Sequence, residues 1–136
     1  MRIVIAAALL VALATAQEAT RSVWDGVFTQ EQADRGRPLY NQHCASCHAD
    51  TLTGGEMSPP LVGGEFMSNW NGLTLSELFE RIRTSMPQNN PGKLSREVNA
   101  DITAYILSVN KFPTGKTELP HSAEFLRDIR IESEKK

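Results

Sequence analysis

Apolar residues recur at helical spacing in three stretches of the chain. In the first, from Thr29 to about His43, one helical face carries Ala33, Gly36 and Tyr40. In the second, which begins at Thr74, that face carries Leu75, Leu78, Phe79 and Ile82. In the third, about Arg96 to Val109, it carries Val98, Ile102, Tyr105, Ile106 and Val109. Each stretch therefore predicts an amphipathic helix with one buried face.

The residues at the helix starts favour the same boundaries. Two helices begin with the capping-box spacing, in which a Thr and a Glu or Gln three residues later satisfy free backbone amides. These pairs are Thr29–Gln32 and Thr74–Glu77. Ser95 is placed to cap the third helix, and Ser122 a short fourth helix over residues 123–129. No stretch alternates as a strand does, so the sequence predicts an all-α fold.

Gly36 is unusual because it lies in the middle of a predicted helix. Glycine costs a helix roughly 1 kcal/mol relative to alanine, so its presence on the apolar face beside Tyr40 suggests a packing reason. We expect another helix to approach closely at this position. A tolerated surface glycine is the alternative interpretation.

Residues 1–16 have the form of a secretory signal, with Arg2, an apolar run of 12 residues, and an Ala-Thr-Ala cleavage site that ends at Ala16. The run is shorter than the ~20 residues that span a bilayer, so no membrane anchor is expected. We expect the mature chain to be periplasmic or otherwise exported after cleavage near Ala16. Residues 17–28 would then form an N-terminal leader and residues 111–136 a C-terminal extension.

Composition excludes some classes of function. The net charge is −2 and no basic stripe is present, so we expect no nucleic-acid partner. After residues 1–16 are removed, about a third of the chain is apolar, which is little for a small domain that must stabilise itself. A buried prosthetic group would complete the core, and the apoprotein is expected to fold poorly.

The sequence Cys44-Ala45-Ser46-Cys47-His48 is the C-x-x-C-H attachment motif of c-type haem. Two thiols three residues apart on a helical turn can form thioethers with the two haem vinyl groups, and the next residue can ligate iron. A disulfide, a thioredoxin-like redox pair and a structural zinc site are the alternatives. The redox pair would need a βαβ setting, and zinc would need four ligands.

The motif, the Met86-Pro87 pair and the closing amphipathic helix together resemble class I cytochromes c over Thr29 to Val109. Residues 85–87, 91–95 and 100–107 are similar to small bacterial cytochromes and to the haem domains of quinoprotein alcohol dehydrogenases. The resemblance implies a cytochrome c domain at residues 29–110. It also implies three to five helices wrapped around one covalently attached haem c and its iron.

The resemblance also implies roles for individual residues. Cys44 and Cys47 would hold the thioethers, with His48 and Met86 as the axial iron ligands. The Pro60 carbonyl would accept the His48 Nδ1–H, although the adjacent Pro59 leaves a choice of one residue. The remaining implied contacts are Trp70 with a haem propionate, Phe79 and Ile82 on the haem face, and Gly36 and Tyr40 packed on Ile102, Tyr105 and Ile106.

Other axial ligands remain open. Met57 and Met67 are rivals of Met86, but Met57 follows His48 by only 9 residues and Met67 lacks a following proline. His43 precedes Cys44 on the same helix and His121 lies in the C-terminal extension. A five-coordinate haem would leave Met86 as a packing residue.

His/Met ligation fills both axial positions, so it favours an electron-transfer protein over an enzyme. The partners would be redox proteins, with a dehydrogenase as donor and an oxidase or another cytochrome as acceptor. The alternatives are a cytochrome subunit of a periplasmic quinoprotein dehydrogenase complex and a gas-binding or sensor haem protein.

Overall fold

A computed structural model describes residues 18–136, so the predicted signal at residues 1–16 lies outside the described residues. The described chain is mostly helical. Its helices are α1 (Gln30–His43), α2 (Ala45–His48), α3 (Gly63–Trp70), α4 (Leu75–Ser85), α5 (Arg96–Val109) and α6 (Ala123–Leu126). Its strands are β1 (Arg21–Ser22) and β2 (Ile129–Arg130), and a 3₁₀ helix spans Val23–Asp25. No helix within residues 18–136 is both long and apolar enough to cross a membrane.

The predicted starts of the three main helices are confirmed. The hydroxyl oxygens of Thr29, Thr74 and Ser95 each accept a backbone N–H from three residues later. At α4 the capping box is complete, because the Glu77 carboxylate accepts the Thr74 backbone N–H at 2.7 Å. Local hydrogen bonds of this kind depend only on near neighbours, which is why the sequence predicts them well.

The crossing of α1 and α5 is the most extensive contact between helices in the described chain. At its centre Gly36 is buried against the backbone of Asp101, and a β-carbon at position 36 would lie 1.9 Å from the Asp101 carbonyl oxygen. One turn later the Tyr40 and Tyr105 rings lie 5.4 Å apart. The predicted close approach at Gly36 is therefore confirmed, and the surface-glycine interpretation is wrong.

The leader and the extension pack together, which the sequence did not indicate. β1 pairs in parallel with β2, so the expectation of no strands was wrong. The fourth predicted helix ends at Leu126 instead of residue 129, because residue 129 already belongs to β2. Residues from both segments are buried in the same apolar core as the main helices: Val23, Val27, Phe28, Leu119, Leu126, Ile129 and Ile131.

The chain is also held directly after β2, at Glu132 and Ser133. The Trp24 indole N–H donates to the Glu132 carbonyl at 2.9 Å, and the Ser133 N–H donates to the Asn71 side chain. The backbone of the C-terminal extension therefore uses side chains from distant parts of the chain as partners.

Gln32 departs from the predicted capping box. Its backbone N–H donates to Thr29, but its side chain does not return a bond to that residue. Instead the buried carboxamide forms two hydrogen bonds with the backbone of Leu119 in the extension. Nε2 donates to the Leu119 carbonyl at 3.1 Å, and Oε1 accepts the Leu119 N–H at 2.6 Å. One side chain thus satisfies both backbone groups of a buried residue 87 positions away.

We predict that Gly36→Ala destabilises the protein by about 3 kcal/mol, because the added methyl group overlaps backbone atoms of α5. Urea unfolding measures the change. Gly64→Ala is the matched control, since Gly64 is helical and a β-carbon there meets nothing within 4 Å. The control should stay within about 1 kcal/mol of the wild type. Equal unfolding midpoints for the two variants would contradict the crossing.

We predict that Gln32→Ala costs about 2 to 4 kcal/mol, because two buried backbone groups of Leu119 lose their partners. Hydrogen exchange at the Leu119 amide should rise together with the loss of unfolding free energy. Gln30→Ala, on the exposed side of the same helix, should change stability by no more than about 0.5 kcal/mol. If both variants exchange Leu119 at the wild-type rate, Gln32 does not hold the extension.

Candidate haem site

The two cysteines lie on a single helical turn that continues directly from α1. The Cys44 N–H donates to the Tyr40 carbonyl at 2.8 Å, and the His48 N–H donates to the Cys44 carbonyl at 3.0 Å. Both cysteines are free thiols, so the disulfide interpretation is wrong. Cys44 is partly buried beside the core, whereas Cys47 is exposed. The turn therefore presents two thiol groups followed directly by an imidazole.

Burial raises the pKa of the Cys44 thiol to about 11, above its ordinary value. The thiol is therefore protonated at neutral pH, in surroundings that penalise a thiolate. A thioether is neutral and mostly apolar, so this environment suits the product of covalent attachment to a vinyl group.

His48 is buried and its ring is oriented by one hydrogen bond. Nδ1 lies 2.8 Å from the carbonyl oxygen of Pro59. A carbonyl can only accept, so Nδ1 carries the proton and Nε2 is left with its lone pair. Among residues 18–136, Nε2 has no hydrogen-bond partner. Such an imidazole is prepared to bind a metal through Nε2, with the Nδ1 bond fixing its tautomer.

The acceptor is Pro59, so the assignment to Pro60 was wrong by one residue. The loop turns at Gly55 and Ser58, which exchange backbone hydrogen bonds and set which carbonyl faces the imidazole. Pro60 follows as a partly buried residue. Two adjacent prolines have the same local preferences, so only the path of this loop decides between them.

The residue after His48 has a strained backbone that sequence reasoning missed. Ala49 has φ 64° and ψ 156°, a region that is nearly restricted to glycine and costs on the order of 1–3 kcal/mol. The Tyr40 hydroxyl donates to the Ala49 carbonyl at 2.6 Å. Nothing in the sequence distinguishes Ala49 from other alanines, so its backbone conformation could not be predicted from the sequence.

The methionines occupy different environments. Met57 is 95% exposed, and Met67 on α3 packs against the core. Met86 ends α4, where its backbone N–H donates to the Ile82 carbonyl at 2.9 Å, and its side chain is only partly buried. Met86 therefore combines a hydrogen-bonded backbone with a partly buried side chain.

The two rival histidines are poorly placed by comparison. His121 is exposed, with its Nε2 atom 3.9 Å from the Glu97 carboxylate. His43 forms the last residue of α1, directly before the cysteine turn.

The other predicted haem contacts line α3 and α4. Phe79 is fully buried, while Ile82 and Trp70 are partly buried and pack against the core. The Arg96 guanidinium carbon lies 6.0 Å from the centre of the Phe79 ring. Phe79 and Ile82 thus lie on α4, about two turns and one turn before Met86, which caps that helix.

The donor set fits haem c. Free thiols in C-x-x-C spacing, an imidazole with an available Nε2 and a partly buried thioether are the groups that attachment and His/Met ligation require. A zinc site does not fit, because no cluster of three His, Cys, Asp or Glu residues able to hold a metal occurs in the described part of the chain. A haem would be held by Cys44, Cys47, His48 and Met86.

Comparison with known proteins agrees with this chemistry. The sequence model of the family described as cytochrome c oxidase, cbb3-type, subunit III matches residues 31–106. The cytochrome c subunit of the cytochrome bc1 complex from Corynebacterium efficiens is 30% identical over 102 residues, covering 72% of this chain and 33% of that protein. The same subunit from Corynebacterium diphtheriae is 33% identical over 94 residues, covering 66% and 31%. The chain thus spans about a third of the length of these relatives.

The fold is similar to a solved structure as well. A chain of the sulfane dehydrogenase SoxCD from Paracoccus pantotrophus matches with a TM-score of 0.56 and 25% identity, covering 87% of this chain and 68% of that one. The family match includes α1, the C-x-x-C-H turn and most of α5. Because it covers more than half of the chain, this protein belongs to the class I c-type cytochromes, in the family described as cbb3-type cytochrome c oxidase subunit III, and its cofactor is covalently bound haem c.

Proposed function

We propose that this protein is an exported monohaem carrier of single electrons between redox proteins, with His48 and Met86 as the axial iron ligands. The observation that carries the proposal is the His48 imidazole, which is buried beside two free thiols with Nδ1 fixed on the Pro59 carbonyl. Export is supported by the sequence of residues 1–16, which has the form of a secretory signal.

The side chains have distinct tasks in this function. The haem supplies an iron that gains and loses one electron. Cys44 and Cys47 anchor the macrocycle to the turn after α1, so its position is set by the fold. The Nδ1–H bond to Pro59 keeps Nε2 of His48 directed at the iron and increases its basicity. Met86 would supply the second axial ligand, which would leave no position for substrate and would raise the reduction potential.

A second candidate is a cytochrome subunit that stays docked in a larger redox complex. The relatives named as cytochrome c subunits of the bc1 complex, and the fold shared with a sulfane dehydrogenase, favour this candidate. Electron transfer would be unchanged, but the partner would be permanent. Affinity purification of the tagged protein from its own cells distinguishes the two, because a docked subunit co-purifies with a larger protein in fixed ratio and a free carrier does not.

We predict that Cys44→Ala combined with Cys47→Ala abolishes covalent haem and leaves a poorly folded chain. The thioethers fix the cofactor, and the low apolar content of the chain leaves little else to complete its core. Haem staining after denaturing electrophoresis and circular dichroism measure the two effects. Ser46→Ala, between the cysteines, should retain the stain. A double variant that still carries denaturation-resistant haem would contradict the assignment of both cysteines.

We predict that Met86→Ala opens the distal face of the haem, so the reduced protein binds CO and its reduction potential falls. Thioether sulfur favours ferrous iron, and its loss removes that preference. Optical spectra with and without CO, and a potentiometric titration, measure the change.

Met57→Ala and Met67→Ala are the matched controls and should retain the low-spin spectrum. If Met67→Ala loses it while Met86→Ala does not, the ligand assignment is wrong but the carrier function stands. If the wild type already binds CO readily, a sensor or gas-binding haem replaces the carrier.

A further inference from the structure

The loop that follows His48 contains two residues with positive φ angles. Ala49 has φ 64° and Leu52 has φ 61°, although both carry a β-carbon. Such conformations are uncommon outside glycine and persist only where surrounding contacts hold them. The contacts made by the Ala49 peptide are therefore the groups that can stabilise its conformation.

The Tyr40 hydroxyl supplies such a contact. It donates to the Ala49 carbonyl at 2.6 Å, and the Leu52 N–H donates to the same oxygen at 3.2 Å. Tyr40 is fully buried at the α1–α5 crossing, next to the Tyr105 ring. Burial also raises the pKa of Tyr40 well above its ordinary value, so its hydroxyl remains a donor at every physiological pH.

The same loop forms hydrogen bonds with both the backbone and the imidazole of His48. The Gly54 N–H donates to the His48 backbone carbonyl at 2.9 Å, and the Pro59 carbonyl accepts from the imidazole at 2.8 Å. The Leu61 N–H closes the loop on the Leu52 carbonyl at 2.8 Å. A turn of the Ala49 peptide would therefore displace the backbone that orients the imidazole.

We propose that Tyr40 is a positioning residue for the axial ligand: its hydroxyl holds the Ala49 peptide in its positive-φ conformation and thereby sets the orientation of the His48 imidazole. The helix crossing is in this way connected to the electronic environment of the iron. The proposal rests on the proposed ligation of iron by His48.

The alternative is that the hydroxyl only satisfies a buried polar group. Both interpretations predict lower stability for Tyr40→Phe, so unfolding does not separate them. The positions of the hyperfine-shifted haem methyl resonances in the oxidised protein do, because they depend on the orientation of the axial imidazole. Exchange of the Gly54 amide provides a second readout within the loop itself.

Tyr40→Phe removes one oxygen and keeps the ring. We expect it to shift the haem methyl resonances and to exchange the Gly54 amide about tenfold faster, the factor that loss of one hydrogen bond allows. Tyr105→Phe is the matched control, because this neighbouring tyrosine bonds no backbone carbonyl of the described chain through its hydroxyl. It should leave both readouts at their wild-type values.

The double variant that combines Tyr40→Phe with Ala49→Gly provides the decisive test. Glycine adopts positive φ without help, so Tyr40→Phe with Ala49→Gly should return the haem methyl resonances to their wild-type positions. If Tyr40→Phe leaves the resonances unchanged, or if glycine does not restore them, the positioning role is wrong. These outcomes presuppose a low-spin wild-type spectrum that Met86→Ala abolishes. If the wild-type spectrum is not low-spin, or if Met86→Ala does not abolish the low-spin spectrum, the proposed function is overturned instead.

Discussion

The structure depends on the contact between the backbones of α1 and α5 at Gly36. Because position 36 has no side chain, the carbonyl of Asp101 can lie against the helix, and the two helices approach more closely than any β-carbon would permit. One turn later on α1 the buried Tyr40 ring lies 5.4 Å from the Tyr105 ring of α5, and α1 ends directly before Cys44. The absence of a side chain at position 36 thus permits the closest contact between the two helices.

The same helix organises the rest of the chain around the crossing. On one side of α1, Gln32 binds both backbone groups of Leu119 in the buried interior. On another side, Arg35 bridges the carboxylates of Asp101 and Glu118, at 3.1 and 2.7 Å. The Arg35 side chain is about half exposed, so its ion pairs contribute little, whereas the buried carboxamide protects groups that would otherwise be costly to leave unpaired. The extension is therefore attached mainly through Gln32 and its apolar residues.

His48 and Met86 are held in the structure by different sets of contacts. The imidazole of His48 is held by a carbonyl from a Gly- and Pro-rich loop, and that loop is in turn bonded to the buried end of α1. Met86 comes from the end of a separate helix, α4, whose start is fixed by a complete capping box. His48 and Met86 thus belong to two different parts of the described chain, the turn after α1 and the end of α4.

The sequence by itself determined the features that depend on near neighbours. Helix starts, the amphipathic faces of α4 and α5 and the C-x-x-C-H turn follow from residues within a few positions of one another, so the pattern predicts them correctly. The close helix contact at Gly36 was also predicted, because few physical causes other than close packing explain a glycine on the apolar face of a helix. The C-x-x-C-H residues could be named for the same reason, since their spacing is a local property, whereas Met86 was named through the resemblance to class I cytochromes c and stays a prediction.

Only the tertiary structure decided which distant groups meet. Pro59 and not Pro60 accepts from His48, Gln32 binds Leu119 instead of its own helix start, and β1 pairs with a strand more than a hundred residues later. The Ala49 conformation belongs to the same class, because it is held by a hydroxyl from another helix. In each case a buried backbone group must find a partner, and the partner is selected by packing in three dimensions, which no local pattern of residues encodes.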